Sequence, residues 1–362
     1  MPKAECFSRG GHGGEQSWEF YGLNQQVNTC KLSFLLRVIR ELQGLELSFS
    51  RINRVSIPAP SIMNRNALLA AGLTSLMWGL TGIFVRLLPS LPALTVTAGR
   101  LLIALLVVVP VLGLLRSSRR SFRSALRHPA AYVLALLLAG YYLLATAAFQ
   151  MAPVAEVALL LSTPPLFVLA FRRVRGDIPG RAEISGAVLA VAGISLVLVP
   201  GISFAGAAPL RHLIGNVLAL GAAGLTALYA YRYRILAERG CAPDIIGVSL
   251  LTFASGSAIL MLMVGLAPAP SGLDTLNGTS VLVFLGLGVL STAIPTIGFA
   301  VASKRLPAVV TATISLFIPL FAGIFAFLIL GERFSLLFIP GGILVLGGIA
   351  MILRQRRDSA ND

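Results

Sequence analysis

Charged side chains are scarce in this sequence. Asp, Glu, Lys and Arg together make up 12% of the 362 residues, whereas 56% of the residues are apolar. A typical soluble domain has about 25% charged residues, so this chain lacks the polar groups that would surround one apolar core in water. The composition therefore excludes an ordinary soluble globular protein and predicts that lipid is the solvent of most of the chain.

Acidic residues and lysine are rarer still. The chain has 14 acidic and 29 basic residues, a formal net charge of +15, and all but three of the basic residues are arginine. Such an excess also occurs in nucleic-acid-binding proteins. Here, however, the arginines form short clusters between apolar runs of about 20 residues, which is typical of cytoplasmic loops that face anionic lipid. The charge pattern predicts a lipid bilayer as a partner and no nucleic acid.

Residues that commonly hold cofactors are also few. Three cysteines and three histidines are scattered without the spacing of a disulfide framework or a metal site. We expect each histidine, including His212, to lie at an interface or in a tail. No GxxxxGK[ST] phosphate-binding loop occurs, so the chain is not driven by ATP through such a loop. The sequence predicts no cofactor, no metal and no catalytic residue.

The first 62 residues differ from the rest of the chain. They hold five of the 14 acidic residues, two of the three lysines and no apolar run long enough to span a membrane. They also lack the apolar core and cleavage site of a signal peptide. Weak helical periodicity over 32–47 is compatible with an amphipathic helix at the membrane interface. The alternative is that Met63 is the true start, and both interpretations stay open.

From residue 66 onward, apolar runs alternate with short connections. Each run is long enough, at 1.5 Å per residue, to cross about 30 Å of hydrocarbon with some tilt or slight mismatch. The runs cover 66–88, 92–115, 130–149, 153–171, 183–200, 213–233, 245–267, 280–302, 307–330 and 336–353. The pattern predicts an all-α membrane protein with ten transmembrane helices.

Basic residues divide unevenly between alternate connections. One set of connections, together with the C-terminal tail, holds 17 Lys and Arg residues, whereas the other set holds two or three. Cytoplasmic loops carry the excess of Lys and Arg in membrane proteins. Both termini are therefore predicted to be cytoplasmic.

The chain repeats itself at an offset of roughly 152–155 residues. The motif at 72–76 recurs at 224–228. The other matching positions are Pro153 and Pro165 with Pro307 and Pro319, Gly176-Asp177 with Gly331-Glu332, and Gly186 and Gly193 with Gly341 and Gly348. Each repeat contains five spans, and because five is odd the second copy enters the membrane from the opposite side. Inverted repeats are typical of secondary transporters, in which two related halves alternate around a site between them.

The repeat pattern divides the chain into five segments. They are an N-terminal extension over 1–62, a first five-helix repeat over 63–200, an outer linker over 201–211, a second repeat over 212–354 and a cytoplasmic tail over 355–362.

Several motifs in these repeats resemble one known family. They are Trp78-Gly79 in the first span with Arg86 at its end, Arg100 early in the second span, and Gly331-Glu332 closing a proline-containing span. On these motifs, residues 66–354 resemble the EamA-type members of the drug/metabolite transporter superfamily. The resemblance implies a ten-helix exporter or exchanger of small organic metabolites in the bacterial cytoplasmic membrane, and not an enzyme. The sequence departs from that family in having Gly176-Asp177 where Glu is usual, and Glu156 inside the fourth span.

Ionisable groups inside a span are the best candidates for a site, because each costs at least a few kcal/mol unless it has a partner or water. Arg100 lies about eight residues into the second span, about 12 Å below its outer edge. Glu156 lies near the same edge of the fourth span, so the two side chains could pair. Either they form a structural ion pair, or Arg100 snorkels to the membrane surface, or they contact a charged substrate or a proton; all three alternatives stay open.

Aromatic residues and prolines supply the remaining candidates. Trp78 and Tyr142 lie within spans, where they either line a cavity or simply pack between helices. The prolines at Pro153, Pro164, Pro165, Pro307 and Pro319 break the fourth and ninth spans. Breaks at corresponding positions of two halves indicate a binding site or hinge, so Pro165 and Pro319 join the candidate residues. The Gly186/Gly193 and Gly342/Gly347 faces are predicted to let helices approach closely.

We therefore predict a secondary transporter with a central cavity between its halves. It would move a small organic metabolite or drug by alternating access, in efflux or exchange, with proton coupling left open. A second hypothesis is a membrane-embedded enzyme acting on lipid or isoprenoid. Such enzymes need paired carboxylates, a His/Asp pair or a metal cluster at membrane depth, and the predicted spans hold one acid and no histidine. A third hypothesis is a receptor or assembly partner, for which an inverted repeat offers no advantage.

Overall fold

A computed structural model of the chain describes residues 65–114, 116–176, 178–198, 207–266, 272, 276–305, 314–333 and 335–361. The chain divides into two units, Met1–Ser61 and Ile62–Asp362, and all of the described residues belong to the second. The N-terminal extension, Asp177 and Pro307 lie outside the described residues.

The described residues form helices joined by short connections. The helices are α1 Arg65–Gly79, α2 Thr81–Arg86, α3 Ala93–Leu114, α4 Arg116–Leu126, α5 Pro129–Met151, α6 Val154–Leu160, α7 Pro164–Val174, α8 Arg181–Leu198, α9 Ala207–Glu238, α10 Ile245–Leu266, α11 Gly278–Leu285, α12 Ile294–Arg305, α13 Ile318–Phe325 and α14 Phe338–Asn361. Two π-helices continue helical runs, at Gly286–Ala293 after α11 and at Ala326–Leu330 after α13. The prediction of an all-α fold is confirmed.

Length and hydropathy identify seven membrane spans within the described ranges. They are Ala67–Arg86, Ala93–Pro110, Pro129–Met151, Val154–Val174, Leu210–Glu238, Ile245–Leu266 and Gly278–Phe299. Three other helical segments occupy the positions of the remaining predicted spans, at Arg181–Leu198, Ile318–Leu330 and Phe338–Arg354. The multi-pass membrane fold is thereby supported, whereas the count of ten spans stays a prediction.

Apolar side chains cover much of the outside of the helix bundle. Leu, Ile, Val and Phe residues on helices of both repeats are more than half exposed, among them Leu106, Leu136, Val188, Leu262, Leu328 and Ile343. So large an exposed apolar surface is unfavourable for a soluble monomer in water, but it is favourable in contact with hydrocarbon. The exposed surface therefore agrees with the bilayer predicted from composition.

The proline breaks fall where the repeat predicts them. In the fourth span, α6 ends at Leu160 and α7 begins at Pro164, after two turn residues and Thr163. In the ninth span, α13 begins at Ile318, one residue before Pro319 and directly after a turn. Proline in the first turn of a helix leaves no N–H unpaired there but interrupts the hydrogen bonds of any helix that precedes it. The break in the described part of each repeat is therefore confirmed.

Packing between helices follows the same internal symmetry. The contact of α9 with α5 corresponds to that of α1 with α12, and the contact of α10 with α5 corresponds to that of α3 with the π-helix Gly286–Ala293. Likewise, α9 packs on α7 as α1 packs on α13. Three further contacts pair equivalent helices with each other: α3 with α10, α6 with α13, and α8 with α14. The two repeats thus interlock rather than lying side by side.

The contact of α8 with α14 depends on four glycines. A Cβ on Gly193 would lie 2.6 Å from the carbonyl oxygen of Gly341, and a Cβ on Gly186 would lie 2.6 Å from that of Gly348. Backbones approach this closely only where no side chain intervenes. The glycines that matched in the two repeats therefore face each other across the helix pair.

The prediction of close approach was wrong for Gly342 and Gly347. A Cβ at Gly342 would meet Leu159 at 3.7 Å, and one at Gly347 would meet Leu189 at 3.9 Å, which are ordinary van der Waals distances. The reason is helical register: on α14 these residues lie beside Gly341 and Gly348 in sequence but point about 100° away around the helix axis.

Candidate functional site

Arg100 is the most deeply buried of the candidate residues. It lies on α3, and only 2% of its surface is exposed, so the alternative that it extends to the membrane surface is excluded. Its Nε and Nη2 atoms donate to the Thr292 hydroxyl oxygen at 3.1 and 2.9 Å. Its guanidinium carbon lies 4.8 Å from the ring centroid of Tyr142, at a cation–π distance. The first repeat therefore supplies the arginine and the tyrosine, and the second supplies the hydroxyl.

The π-helix Gly286–Ala293 places Thr292 beside Arg100. Thr292 donates its hydroxyl hydrogen to the Leu287 carbonyl oxygen, five residues earlier, at 2.8 Å. Pro295 follows two residues after the π-helix and has no N–H for the carbonyl four residues before it, which favours an irregular turn. Single π-helical turns occur frequently at functional sites because they re-aim side chains.

A glycine in the same π-helix allows the close contact with α3. A Cβ on Gly288 would lie 2.6 Å from the Cβ of Ile103 and 3.3 Å from the carbonyl oxygen of Arg100. The absence of a side chain at Gly288 therefore permits the close contact between α3 and the π-helix at the level of Arg100.

The two aromatic candidates border the same helix, α12. The Tyr142 hydroxyl lies 3.5 Å from the Thr296 hydroxyl. The ring of Trp78 lies 5.2 Å from the ring of Phe299, three residues further along α12. The structure thus brings Tyr142 and Arg100 together, whereas Trp78 belongs to the neighbouring contact between α1 and α12.

Arg100 has no acidic partner within the described residues. The ion pairs found there are Arg172 with Glu183, His212 with Glu156, and Arg234 with Glu238. A buried cation normally has a carboxylate partner, because its desolvation costs several kcal/mol. A hydroxyl and an aromatic face stabilise the charge of Arg100 only in part. The arrangement can therefore accept an anionic group.

The alternative that Arg100 pairs with Glu156 is not found in the structure. Glu156 is 6% exposed on α6, where its Oε2 atom lies 2.6 Å from His212 Nε2 and accepts from Asn216 Nδ2 at 3.2 Å. The sequence predicted neither partner, because His212 lies just before the predicted sixth span, 213–233. Their spacing of four residues places them on one face of α9, which is the signal that could have identified them.

Gly331 and Glu332 follow the π-helix Ala326–Leu330 of the second repeat, and Glu332 contacts the start of a helix in the first. Gly331 adopts φ = 65°, the left-handed conformation that ends a helix, so the chain turns back at once. The Glu332 carboxylate then accepts from the Val154 N–H, at 2.9 and 3.2 Å from its two oxygens. Nearby, Arg86 donates to the Ala152 carbonyl oxygen at 2.7 Å. Glu332 thereby caps the first turn of α6, which has no side-chain cap from its own repeat.

Burial affects the Glu332 carboxylate. Desolvation raises the pKa of this carboxyl above its ordinary value, while the Val154 N–H and the positive charge of Arg86 act in the opposite direction. Within the described ranges, no three His, Cys, Asp or Glu side chains lie close enough together to hold a metal ion.

Comparison with known proteins agrees with this architecture. The model of the EamA-like transporter family matches residues 65–199 and again residues 213–354. Each of the two matched segments contains one of the two repeats. The protein belongs to the EamA-like transporter family, and the resemblance inferred from its motifs is confirmed.

Individual relatives are more distant. An uncharacterized protein of Pseudomonas aeruginosa is 31% identical over 185 residues, which is 50% of this chain and 58% of the relative. The chain thus spans a little over half the length of that protein. A solved crystal structure of a protein is 20% identical, with a TM-score of 0.55, over 81% of this chain and 98% of the solved one. At that identity the similarity concerns the fold alone.

Proposed function

We propose that the protein is a ten-span secondary transporter that moves a small organic molecule bearing a carboxylate or another anionic group. It acts by alternating access, in efflux or exchange, in the bacterial cytoplasmic membrane with both termini in the cytoplasm. The observation that supports this proposal most directly is Arg100, a fully buried cation between the two repeats that lacks an acidic partner among the described residues.

An anionic substrate would supply the charge that Arg100 lacks. In a low-dielectric site, a carboxylate and a guanidinium form paired, charge-assisted hydrogen bonds, which are stronger than those to a neutral hydroxyl. The Thr292 hydroxyl and the Tyr142 ring hold the guanidinium in place in the absence of substrate. Phe299 lies on α12 and Trp78 packs against it, so these two rings could contact an apolar part of the substrate.

The breaks in the fourth and ninth spans support alternating access. They lie at equivalent positions of the two repeats, beside Pro165 and Pro319, and equivalent hinges allow each half to adopt the other's conformation. Helix α6 begins directly after Pro153 and packs on α13 of the second repeat. Bending at both breaks would alter this contact between the repeats.

Polar contacts between the repeats close the end of the bundle that is predicted to be external. Glu156 of the first repeat contacts His212 and Asn216 of the second, and Glu332 of the second repeat caps Val154 of the first. Opening of the site on this side requires these contacts to break. They therefore fit the role of an outer gate, with Glu156 a gate residue rather than a partner of Arg100.

The test compares external metabolites of cells that lack the protein, overproduce it, or overproduce Arg100→Gln. The matched control is Arg120→Gln, which removes the same charge from an exposed position on α4. We expect overproduction to change the external amount of one or more anionic compounds, and Arg100→Gln to abolish the change. The abundance of the Arg100→Gln protein should stay normal, because the substitution removes a buried charge that has no acidic partner among the described residues.

Three results would contradict the proposal. Arg100→Gln could transport normally, its loss of transport could be matched by a loss of folded protein, or the transported compounds could all be cations. A compound that is chemically altered, rather than moved, would favour the membrane-embedded enzyme instead.

A further inference from the structure

A groove of about 500 Å³ lies between α5, α7 and α9, at the end of the bundle that is predicted to face the cytoplasm. It is distinct from the contact around Arg100, since none of its lining residues takes part in that contact. Its walls are apolar and one end is basic, so its chemistry differs along its length.

The basic end carries three arginines, Arg175, Arg232 and Arg239. All three are exposed, and none has an ion-pair partner among the described residues. Two neighbouring arginines differ in this respect: Arg172 and Arg234 each contact a glutamate at 2.8 Å. The groove therefore holds three arginines without an acidic partner among the described residues.

The walls carry side chains that water would not solvate well. Val174 is 88% exposed and Val133 is 53% exposed, and both line the groove. The Tyr231 hydroxyl is buried and makes no hydrogen bond to any described residue. The Tyr231 ring lies 5.7 Å from the ring of Phe171 and 5.5 Å from the guanidinium carbon of Arg175. A hydrogen-bond donor without a partner thus lies between the apolar walls and the arginines.

We propose that this groove binds one anionic phospholipid of the inner leaflet. The phosphate lies among Arg175, Arg232 and Arg239 and accepts a hydrogen bond from Tyr231, while an acyl chain covers Val133 and the other apolar walls. Basic pockets between transmembrane helices on the cytoplasmic side are suited to anionic headgroups. A soluble anion would neutralise the arginines but leave the walls uncovered, so a lipid fits both parts of the groove.

The basic helix α4 provides the comparison. Arg119, Arg120, Arg123 and Arg127 line a separate cavity together with Ser124 and His128, and no apolar side chain from the described part of the chain lines it. That surface offers positive charge without a wall for an acyl chain. Equal charge changes at the two places therefore separate a built lipid site from general attraction to an anionic membrane.

The experiment measures binding of dioleoyl phosphatidylglycerol and dioleoyl phosphatidylcholine to the delipidated full-length protein by native mass spectrometry. The groove variant is Arg232→Gln with Arg239→Gln, and the control is Arg119→Gln with Arg120→Gln. We expect one phosphatidylglycerol per protein, bound more tightly than phosphatidylcholine. The groove variant should lose about thirtyfold in affinity for phosphatidylglycerol, since the two arginines near the phosphate together contribute about 2 kcal/mol. The control should stay within about twofold of the wild type.

Further arms keep the proposal testable if the double variant does not fold. Tyr231→Phe removes one hydroxyl, and it should weaken phosphatidylglycerol binding several-fold, because the phosphate loses a hydrogen-bond donor. Glycerol 1-phosphate, which lacks acyl chains, should not displace the lipid. The proposal is overturned if both lipids bind equally, if the α4 control loses as much affinity as the groove variant, or if glycerol 1-phosphate competes effectively. The last result would indicate a site for free phosphate.

Discussion

A single methyl group added at Gly348 should weaken the contact between α8 and α14. The Cβ of Gly348→Ala would collide with the carbonyl oxygen of Gly186 and would lie 2.7 Å from the backbone nitrogen of Ala190. The usual separation is about 3.4 Å or more, so relieving the contact with the nitrogen requires a displacement of roughly 0.7 Å, and relieving the collision with the oxygen requires more. Backbone atoms cannot rotate away as a flexible side chain can, and such overpacking typically costs about 1–3 kcal/mol.

The adjacent residue is the matched control. Gly347→Ala adds the same methyl group to the same helix, but its nearest neighbour is Leu189 at 3.9 Å. It therefore gains the higher helix propensity of alanine, up to about 1 kcal/mol, without a collision. Thermal unfolding of the purified proteins in detergent should show a melting temperature lowered by a few degrees for Gly348→Ala and unchanged or raised for Gly347→Ala. Equal effects of the two substitutions would refute the proposed glycine contact.

The remaining predictions concern topology and the two polar clusters. A cysteine placed in 269–279 should react with an impermeant reagent in intact cells and one placed in 117–126 should not; the reverse pattern would overturn the orientation. Thr292→Val leaves the buried N–H groups of Arg100 without their acceptor, so it should lower the free energy of unfolding by about 1–3 kcal/mol. Thr292→Ser keeps the hydroxyl and should retain the stability. Glu156→Gln and His212→Gln should be coupled by about 0.5–3 kcal/mol in a double-mutant cycle of unfolding; additive effects would exclude their contact.

The family and the two-repeat architecture could be predicted from local features. Hydrophobic runs and loop charges are read one segment at a time, and the repeat appears as a constant offset between Pro165 and Pro319. Arg100 could be identified because an ionisable side chain is rare within a span. In each case, the signal depends on the chemistry of a short segment or on sequence spacing alone.

Partners across the interface between the repeats could not be predicted in this way. Arg100 and Glu156 lie near the same edge of their spans, and depth alone suggested that they pair. Which side chains meet depends also on the rotation of each helix, and each added residue turns a helix by about 100°. That rotation places Glu156 against His212, and the π-helix places Thr292 against Arg100.

The sequence by itself determined that the chain is a two-repeat helical membrane protein of the EamA-like transporter family, because composition, hydropathy and internal similarity are properties of the chain order. The tertiary structure decided which polar groups meet, which glycines permit close contact, and where unpaired arginines gather beside apolar walls. Those features depend on helix rotation and on packing between residues more than a hundred positions apart, as in the contact of Gly193 with Gly341. The order of residues along the chain does not directly show the rotation of a helix or the packing of distant residues.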